Sequence, residues 1–336
     1  MVTSLGPVGE AEVTATSSSA ASSVKIQVAA GAPANLVNTR ESDQVAMAGE
    51  MLPEPVSILV TDEDGNPVRG VAVDFYLTAS AGQITPQRTV TTVDGLAQTL
   101  WTLGSRAGQQ LLSGQIKDLP DANISIAALA TAGPVASLAA TRSATAAAAG
   151  DSLAFRVQAR DAFKNPIAGL EIAWTAESGS MAAPTTPTDA SGTATGEWSS
   201  AQAGATIIRA TAVGLESLPT EWRIEVVAGT PAIVTAKSAT EQIGVPGALA
   251  AEPPLIQITD AKGNPIAGVP VTFTVVEGTG QLAGDAAVTD ADGVATASSW
   301  RWGPESTQSV EATAAGLPAL RFTARVEAPL PPKRRR

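Results

Sequence analysis

The 336-residue sequence contains no histidine and no cysteine. Without histidine, the usual general base, the commonest metal ligand and the side chain that titrates near neutral pH are all missing. Without cysteine, thiol nucleophiles, thiolate metal sites and disulfides are excluded. Carboxylates and hydroxyls remain, and no motif places two carboxylates for glycosidase chemistry. The sequence therefore predicts that the protein is not an enzyme and has no catalytic, cofactor-binding or metal-binding residues and no cofactor.

Aromatic residues make up only 4% of the chain, which predicts cores of small and β-branched side chains around one or two tryptophans. No apolar run reaches the roughly 18 residues that a membrane-spanning helix needs. The net charge of −11 argues against a nucleic-acid partner, because phosphate binding requires a basic surface. The one basic cluster is the tail Pro331–Arg336, which is interpreted as a disordered end.

One turn motif is present three times. It begins at Asp62, recurs from Asp161 and Asp260, and ends each time in Asn-Pro, with a constant step of 99 residues. A fixed period of this size indicates one folded unit used repeatedly. The aspartate followed by Gly-Asn-Pro or Lys-Asn-Pro is typical of a short connection between neighbouring strands.

Apolar and polar residues alternate on both sides of this turn. Before it, Ile58 and Val60 have equivalents at the same offset in the other copies, and after it Val73 does as well. These apolar positions are Ile58, Val60, Val157, Ala159, Ile256 and Ile258, followed by Val73, Ile172 and Val271. Alternation with a period of two predicts half-buried strands with this face inward, and Asp74, Ala173 and Thr272 on the opposite face.

Further along each copy, a glycine leads to a tryptophan: Trp101, Trp198 and Trp300. The third copy has one extra residue before its tryptophan, which predicts a β-bulge. About seven short strands per roughly 100 residues predict an immunoglobulin-like β-sandwich. The predicted fold is all-β, with tandem sandwiches forming an elongated rod. The predicted boundaries are repeat one at 31–131, repeat two at 132–229, repeat three at 230–328 and a basic tail at 329–336.

The run from Val60 through Asn66-Pro67 and a glycine, then Asp94-Gly95 and Trp101-Thr-Leu-Gly, resembles the bacterial Ig-like domains (group 1) of invasin and intimin. Repeat three keeps most of this pattern. Repeat two departs from it, because Lys164 replaces the turn glycine. The resemblance implies rigid spacers that carry an adhesive tip away from a surface. No counterpart of the lectin-like tip or of the membrane-embedded part of those proteins is seen in the sequence.

Residues 1–30 match the end of a repeat. Val13 aligns with Val310 at an offset of 297, and Ile26 and Val28 align with Ile224 and Val226 at an offset of 198. The segment is therefore predicted to be a hairpin, Glu10–Thr16 against Val24–Ala29, equivalent to the last two strands of a preceding repeat. Two interpretations stay open: a hairpin cut from its domain, or a hairpin donated to a neighbouring subunit.

Several residues are candidates for binding sites. Asp62-x-Asp64-Gly65 starts like a calcium loop, but its twelfth position is Val73 where glutamate is needed, so the aspartate is predicted to bond its own turn. The pair Trp300 and Trp302 is predicted to pack in a core rather than form a sugar platform. Trp222 is predicted to be semi-exposed. The acidic pairs Glu10/Glu12 and Glu50/Glu54 are interpreted as solvated surface groups.

Three functions remain open from the sequence. The resemblance favours a non-catalytic stalk of a bacterial cell-surface adhesin, whose partners are neighbouring domains of a longer array or subunits of a surface assembly. Residues 1–24 have no basic residue and no apolar segment typical of a signal peptide. Export information is therefore expected upstream, or the protein is a virion or phage-tail appendage. The third function is a module that binds a glycan or protein of a host surface.

Overall fold

The computed structural model describes residues 8–40, 43–117, 119–142, 145–212 and 215–327. Across these ranges every regular element is a β-strand. The basic tail and the first seven residues lie outside the described part of the chain.

The N-terminal segment forms the predicted hairpin from β1 (Gly9–Ser17) and β2 (Ala20–Val28), which pair antiparallel. The register sets Gly9 opposite Val28 and Val13 opposite Val24. Val13, Val24 and Ile26 are exposed over 44%, 58% and 38% of their surfaces. The predicted pairing is confirmed, whereas the choice between a cut and a donated hairpin stays open.

Repeat one contains nine strands in two sheets. They are β3 (Asn35–Asn38), β4 (Gln44–Met47), β5 (Val56–Thr61), β6 (Ala72–Leu77), β7 (Gln83–Thr85), β8 (Arg88–Val90), β9 (Leu96–Thr102), β10 (Gly108–Ile116) and β11 (Leu119–Thr131). One sheet has the order β3-β5-β9-β7 and the other β4-β11-β10-β6-β8. All named pairs are antiparallel except β4 with β11.

Repeat two has the same arrangement. Its strands are β12 (Val135–Arg142), β13 (Ala146–Ala148), β14 (Ser152–Asp161), β15 (Glu171–Ala176), β16 (Ser180–Met181), β17 (Thr185–Pro187), β18 (Thr193–Ser199), β19 (Gly204–Ala212) and β20 (Leu215–Val227). The sheet orders are β12-β14-β18-β16 and β13-β20-β19-β15-β17, with β13 and β20 parallel.

Repeat three differs in one place. Its strands are β21 (Ile233–Ala236), β22 (Glu241–Gly244), β23 (Leu255–Thr259), β24 (Pro270–Glu277), β25 (Gln281–Ala283), β26 (Ala286–Val288), β27 (Val294–Thr296), β28 (Ser299–Arg301), β29 (Thr307–Thr313) and β30 (Leu320–Val326). The orders are β22-β30-β29-β24-β26, β21-β23-β27 and β25-β28. In repeats one and two the strand that carries the central tryptophan is continuous over seven residues, as β9 and β18. In repeat three, which has one extra residue there, this strand is divided into β27 and β28.

The predicted apolar faces form the cores. Val73 and Ile172 are fully buried and Val271 is nearly so, and the residues before the turns are buried in the same way. Of their neighbours on the opposite face, Thr272 is exposed and Ala173 is half-buried. Asp74 lies on that outer face as predicted but is only 8% exposed, because Arg88 covers it. The predicted register is therefore confirmed.

Each repeat has one tryptophan at an equivalent central position. Trp101, Trp198 and Trp300 are buried to 1% exposure or less. The indole of Trp101 donates to the Ala81 carbonyl over 2.7 Å, and Trp198 donates to a backbone carbonyl in the same way. These bonds satisfy the two buried N–H groups and hold the loop that follows β6 in repeat one, and β15 in repeat two, against the core.

The predicted exposure of Trp222 is wrong. Trp222 is 3% exposed, stacks on Trp174 with ring centroids 6.1 Å apart and lies 5.1 Å from the ring of Phe155. It pairs with Ile208 across the sheet, in the position that Phe322 occupies opposite Val310 in repeat three. Phe322 is therefore the aromatic equivalent of Trp222. It lies 100 residues further along the chain, one more than the 99-residue period.

Lys164 adopts a left-handed backbone conformation with φ of 70°, where Gly65 and Gly263 have φ of 84° and 89°. A side chain with a Cβ costs roughly 1–2 kcal/mol there, which glycine avoids. Glycine removes this strain but also gives the unfolded chain more conformational entropy, which offsets part of the gain. We therefore expect Lys164→Gly to raise the free energy of unfolding, measured by urea denaturation, by about 1 kcal/mol. Gly263→Lys is the matched reverse change and should lower it by a similar amount. A loss of stability in Lys164→Gly would contradict this account.

By their contacts, the residues form two compact units. The first comprises 1–137, 159–168 and 189–192, and the second comprises the remainder of 138–336. The first three predicted boundaries fall between strands, but the division of the chain into repeats with these limits remains a prediction.

Candidate functional site

The aspartate of each recurring turn accepts hydrogen bonds from its own loop. In repeat two, Asp161 Oδ1 accepts from the backbone N–H groups of Phe163 and Asn165, over 2.9 and 2.8 Å. Asp62 and Asp260 make the equivalent bonds with residues two and four positions further on. The prediction that the aspartate bonds its own turn is confirmed.

The second carboxylate oxygen ties the turn to the segment that enters the repeat. Gly133 N–H donates to Asp161 Oδ2 over 3.0 Å, and the side-chain amide of Asn165 donates to the same oxygen over 2.8 Å. The equivalent bonds are Gly31 to Asp62 over 2.8 Å and Gly229 to Asp260 over 2.9 Å. This bond could not be predicted from the sequence, because the glycine and the aspartate are about thirty residues apart.

The asparagine of the turn reaches the loop that follows the tryptophan strand of the preceding repeat. Asn165 Nδ2 donates to the Ser105 carbonyl over 2.8 Å, and Ala107 N–H donates to Asn165 Oδ1 over 2.9 Å. Both ends of the amide are thus used across the junction. All of these residues lie in the first compact unit.

The same arrangement occurs within the second compact unit. Asn264 Nδ2 donates to the Ala201 carbonyl and Ala203 N–H donates to Asn264 Oδ1, each over 2.8 Å. We call this set of turn aspartate, turn asparagine and junction glycine the junction clamp. At repeat one, Asn66 donates to Asp62 over 3.1 Å. The counterpart of the preceding loop lies before β1, mostly in residues 1–7, which are outside the described residues.

The clamp aspartates are buried and remain charged. Asp62, Asp161 and Asp260 are 4%, 3% and 2% exposed. At Asp260 burial opposes ionisation, but hydrogen bonds from Gly229 and Asn264 outweigh it and lower the pKa to about 2. The pKa of Asp161 is lowered against burial in the same way, and that of Asp62 is lowered chiefly by the Gly31 N–H.

These pKa values predict acid sensitivity. An aspartate titrates near about 3.9 in the unfolded chain, so the clamp contributes its full stability above that pH and loses it as pH falls towards about 2. We expect the melting temperature, followed by circular dichroism, to be flat from neutral pH to about 5 and to fall steeply below about 4. Asp260→Asn should reduce this slope. The same slope in wild type and variant would contradict the assignment.

The other acidic groups of the described residues are spread over the surface. Within the described ranges no three Asp, Glu, His or Cys side chains are close enough to hold a metal ion. Both oxygens of Asp62 already accept N–H groups. Glu10 pairs with Lys25 and Glu54 with Arg40, both on exposed surface. The absence of a metal site remains a prediction that ion titration can test.

The two neighbouring tryptophans of repeat three belong to its core. Trp300 and Trp302 are 1% and 5% exposed, and their rings meet edge to face with centroids 6.2 Å apart. Gly244 leaves the space in which Trp302 packs, since a Cβ there would lie 1.5 Å from its ring. The prediction of core packing is confirmed, and no sugar platform exists at this pair.

No helix in the described part of the chain is long and apolar enough to cross a membrane.

The comparisons with known proteins agree with this architecture. Residues 135–224 and 255–325 match the family model "Bacterial Ig-like domain (group 1)". No curated protein is similar enough in sequence to count as a match. The resemblance to the invasin and intimin type of Ig-like domain is thereby confirmed for repeats two and three.

Solved structures of several bacterial proteins are similar to the chain. The Escherichia coli adhesin FdeC has 16% identity and a TM-score of 0.58, and the match covers 88% of this chain and 99% of FdeC. InvD of Yersinia pseudotuberculosis has 20% identity and a TM-score of 0.47, with 85% of each chain covered. Invasin, a bacterial integrin-binding protein, has 17% identity and a TM-score of 0.44, with 88% of this chain and 60% of invasin covered. At this identity the likeness to FdeC shows the shared fold, tandem immunoglobulin-like sandwiches.

Proposed function

We propose that this chain, whose second and third repeats are bacterial Ig-like domains (group 1), is a non-catalytic spacer segment of a bacterial surface adhesin. The observation that carries the proposal is the junction clamp, which is present with the same bonds at Asn165 and at Asn264. A spacer needs junctions that resist bending. Two buried, oppositely directed hydrogen bonds to one amide fix the distance and orientation of the loop they hold.

The parallel pairing of an early strand with the last strand of each repeat supports a role in withstanding tension. In each repeat a strand near the start pairs parallel with the final strand: β4 with β11, β13 with β20 and β22 with β30. Tension applied through the two ends of a repeat pulls such strands along their length in opposite directions. Their hydrogen bonds are then loaded together, whereas a peeled hairpin loses them one at a time.

The buried charges are used for structure, which supports the absence of catalysis. The clamp aspartates accept four N–H donors each, and these bonds lower their pKa values. A group that accepts this many bonds is not available to move a proton. The FdeC structure is that of an adhesin, and none of the similar structures named above supports the virion alternative.

Replacing the two clamp asparagines by alanine tests the spacer role. Asn165→Ala with Asn264→Ala should broaden the distribution of interatomic distances measured by small-angle X-ray scattering on the full chain, because the junctions then bend more freely. Gln98→Ala removes an exposed amide bonded within one sheet and is the matched control. An unchanged distribution in the double variant would remove the support that the clamp gives to a spacer role.

The surface location has its own test. Antibodies against the chain should label intact cells of the source bacterium before the membranes are permeabilised. Labelling that requires permeabilisation would contradict the proposal.

A further inference from the structure

Repeat one has a cleft of about 820 Å³ between the edges of its two sheets. β6 forms one wall and the Gly82–Thr85 segment, which includes β7, forms the other. β8 pairs with β6 from Ala72 to Asp74, and the Phe75 N–H donates to the Gln87 carbonyl over 2.8 Å, so the backbone pairing on that side ends at Phe75. The nearly buried Phe75 and Ile84 contribute the apolar floor.

Both walls of the cleft, the segment around β7 and strand β6, are fixed by bonds to neighbouring elements of repeat one. The segment before β7 is fixed by the bond from the Trp101 indole to the Ala81 carbonyl. Gly82 has a φ of 97° and lies so close to β9 that a Cβ would be 2.0 Å from the Thr102 carbonyl. β6 is paired with β10 from Val73 to Leu77. The cleft is thus formed in the folded protein before any ligand binds, as most small-molecule sites are.

The side chains of Asp74, Arg88 and Tyr76 lie together at this cleft. Asp74 binds Arg88 through both carboxylate oxygens, one of these bonds measuring 2.9 Å. The hydroxyl of Tyr76 lies 3.5 Å from Asp74 Oδ2, and the Tyr76 side chain is 52% exposed. The exposed Tyr76 ring thus lies beside an ion pair whose aspartate side chain is 11% exposed and whose arginine side chain is 55% exposed, so that all three groups can be reached from the cleft.

The other repeats have the same strands without this chemistry. The cross-strand pair Asp74 and Arg88 corresponds by register to Ala173 and Thr185 in repeat two. In repeat three it corresponds to Thr272 and Ala286. The position of Tyr76 is occupied by Thr175 and Thr274. Since two repeats build the same sheet from alanine and threonine, the fold does not require the aspartate, arginine and tyrosine.

We propose that this cleft of repeat one binds a neutral saccharide. The charges of Asp74 and Arg88 compensate one another, which disfavours a strongly ionic ligand. The Tyr76 ring offers a flat apolar surface to the C–H face of a pyranose. The ion pair, with the side-chain amides of Gln83 and Gln87 in the lining, supplies both donors and acceptors for neighbouring hydroxyls. Saccharide binding is independent of the spacer role, since it uses none of the clamp residues.

The test uses a property of the sequence: Tyr76 is the sole tyrosine of the chain. Labelling the full-length protein with meta-fluorotyrosine gives one fluorine NMR resonance, located in the cleft. We expect a saturable shift of this resonance with at least one of lactose, maltose and cellobiose at millimolar concentration. No shift with any of these sugars, or a shift only with sialyllactose or a peptide, would overturn the proposal.

Variants separate the cleft from the rest of the surface. Asp74→Ala with Arg88→Thr converts the pair to the residues of repeat two and should abolish the shift. Tyr76→Thr, followed by saturation-transfer NMR on the sugar, should weaken binding about tenfold, as loss of one aromatic contact implies. Arg209→Thr breaks an exposed ion pair of repeat two and should leave binding unchanged. Circular dichroism checks that each variant is folded. Equal binding by all variants would show that the cleft is not the site.

Discussion

Replacing Asp161 by alanine should lower the free energy of unfolding around the first junction by about 3–5 kcal/mol. Asp161 is 3% exposed and accepts bonds from the backbone of Gly133, Phe163 and Asn165 and from the Asn165 amide. Hydrogen bonds to a charged group contribute about 1.5–3 kcal/mol each, and a donor left buried without a partner carries a similar penalty. Water entering the space of the lost carboxylate offsets part of this sum, so the bonds do not add in full.

Hydrogen exchange followed by mass spectrometry measures this effect locally in the full chain. Peptides covering 130–137 and 159–168 should exchange much faster in Asp161→Ala, while those of repeat three should not change. Asp151→Ala is the control, because Asp151 is exposed and accepts the Ala148 N–H over 3.2 Å. If both variants accelerated exchange equally, the clamp would be no more important than an ordinary surface turn.

The core could be predicted because the sequence repeats. A single run such as Val71 to Phe75 is compatible with either face inward. The recurrence of an apolar residue at Val73, Ile172 and Val271 with the same flanking pattern fixes which face is buried. The hairpin was found in the same way, from offsets rather than from propensity. The family recognition depends on this recurrence as well, since the motifs are short.

Prediction failed where the spacing changes between copies. At the 99-residue offset Trp222 falls opposite Arg321, so the period predicts no aromatic counterpart for it in repeat three. Its cross-strand partner Ile208 shows that Phe322 is the equivalent. The connections between the last two strands differ in length among the repeats, with irregular register in repeats one and two. Sequence spacing alone therefore cannot identify equivalent residues after a connection whose length differs. The pairing of the strands is needed.

The junction clamp was also missed, for a different reason. The aspartate and asparagine were recognised as turn residues, and their local bonds explain their presence in any single copy. The bonds to Gly133, Ser105 and Ala107 depend on how the loops are brought together in the fold. The available signal was that asparagine, rather than any other turn residue, precedes proline in every copy. A turn by itself does not require a side-chain amide whose N–H group and oxygen both form hydrogen bonds, as those of Asn165 do.

Ile172→Ala should produce the largest loss of core stability, about 2–5 kcal/mol for the unit that contains repeat two. Ile172 is fully buried in β15, where it pairs with Ala212 and Thr186 on the two neighbouring strands. Removing its outer carbons costs their transfer free energy and leaves a cavity that a sandwich held by strands on both sides cannot close.

Scanning calorimetry of the full chain tests this value. For a domain of this size about 1 kcal/mol corresponds to roughly 4–8 °C, so one transition should move down by at least about 8 °C while the others stay in place. Ile243→Ala makes the same chemical change at a side chain that is 69% exposed and should shift no transition by more than a few degrees. Equal shifts in the two variants would mean that the face carrying Ile172 does not form the core, and that the register inferred from the 99-residue period is wrong for repeat two.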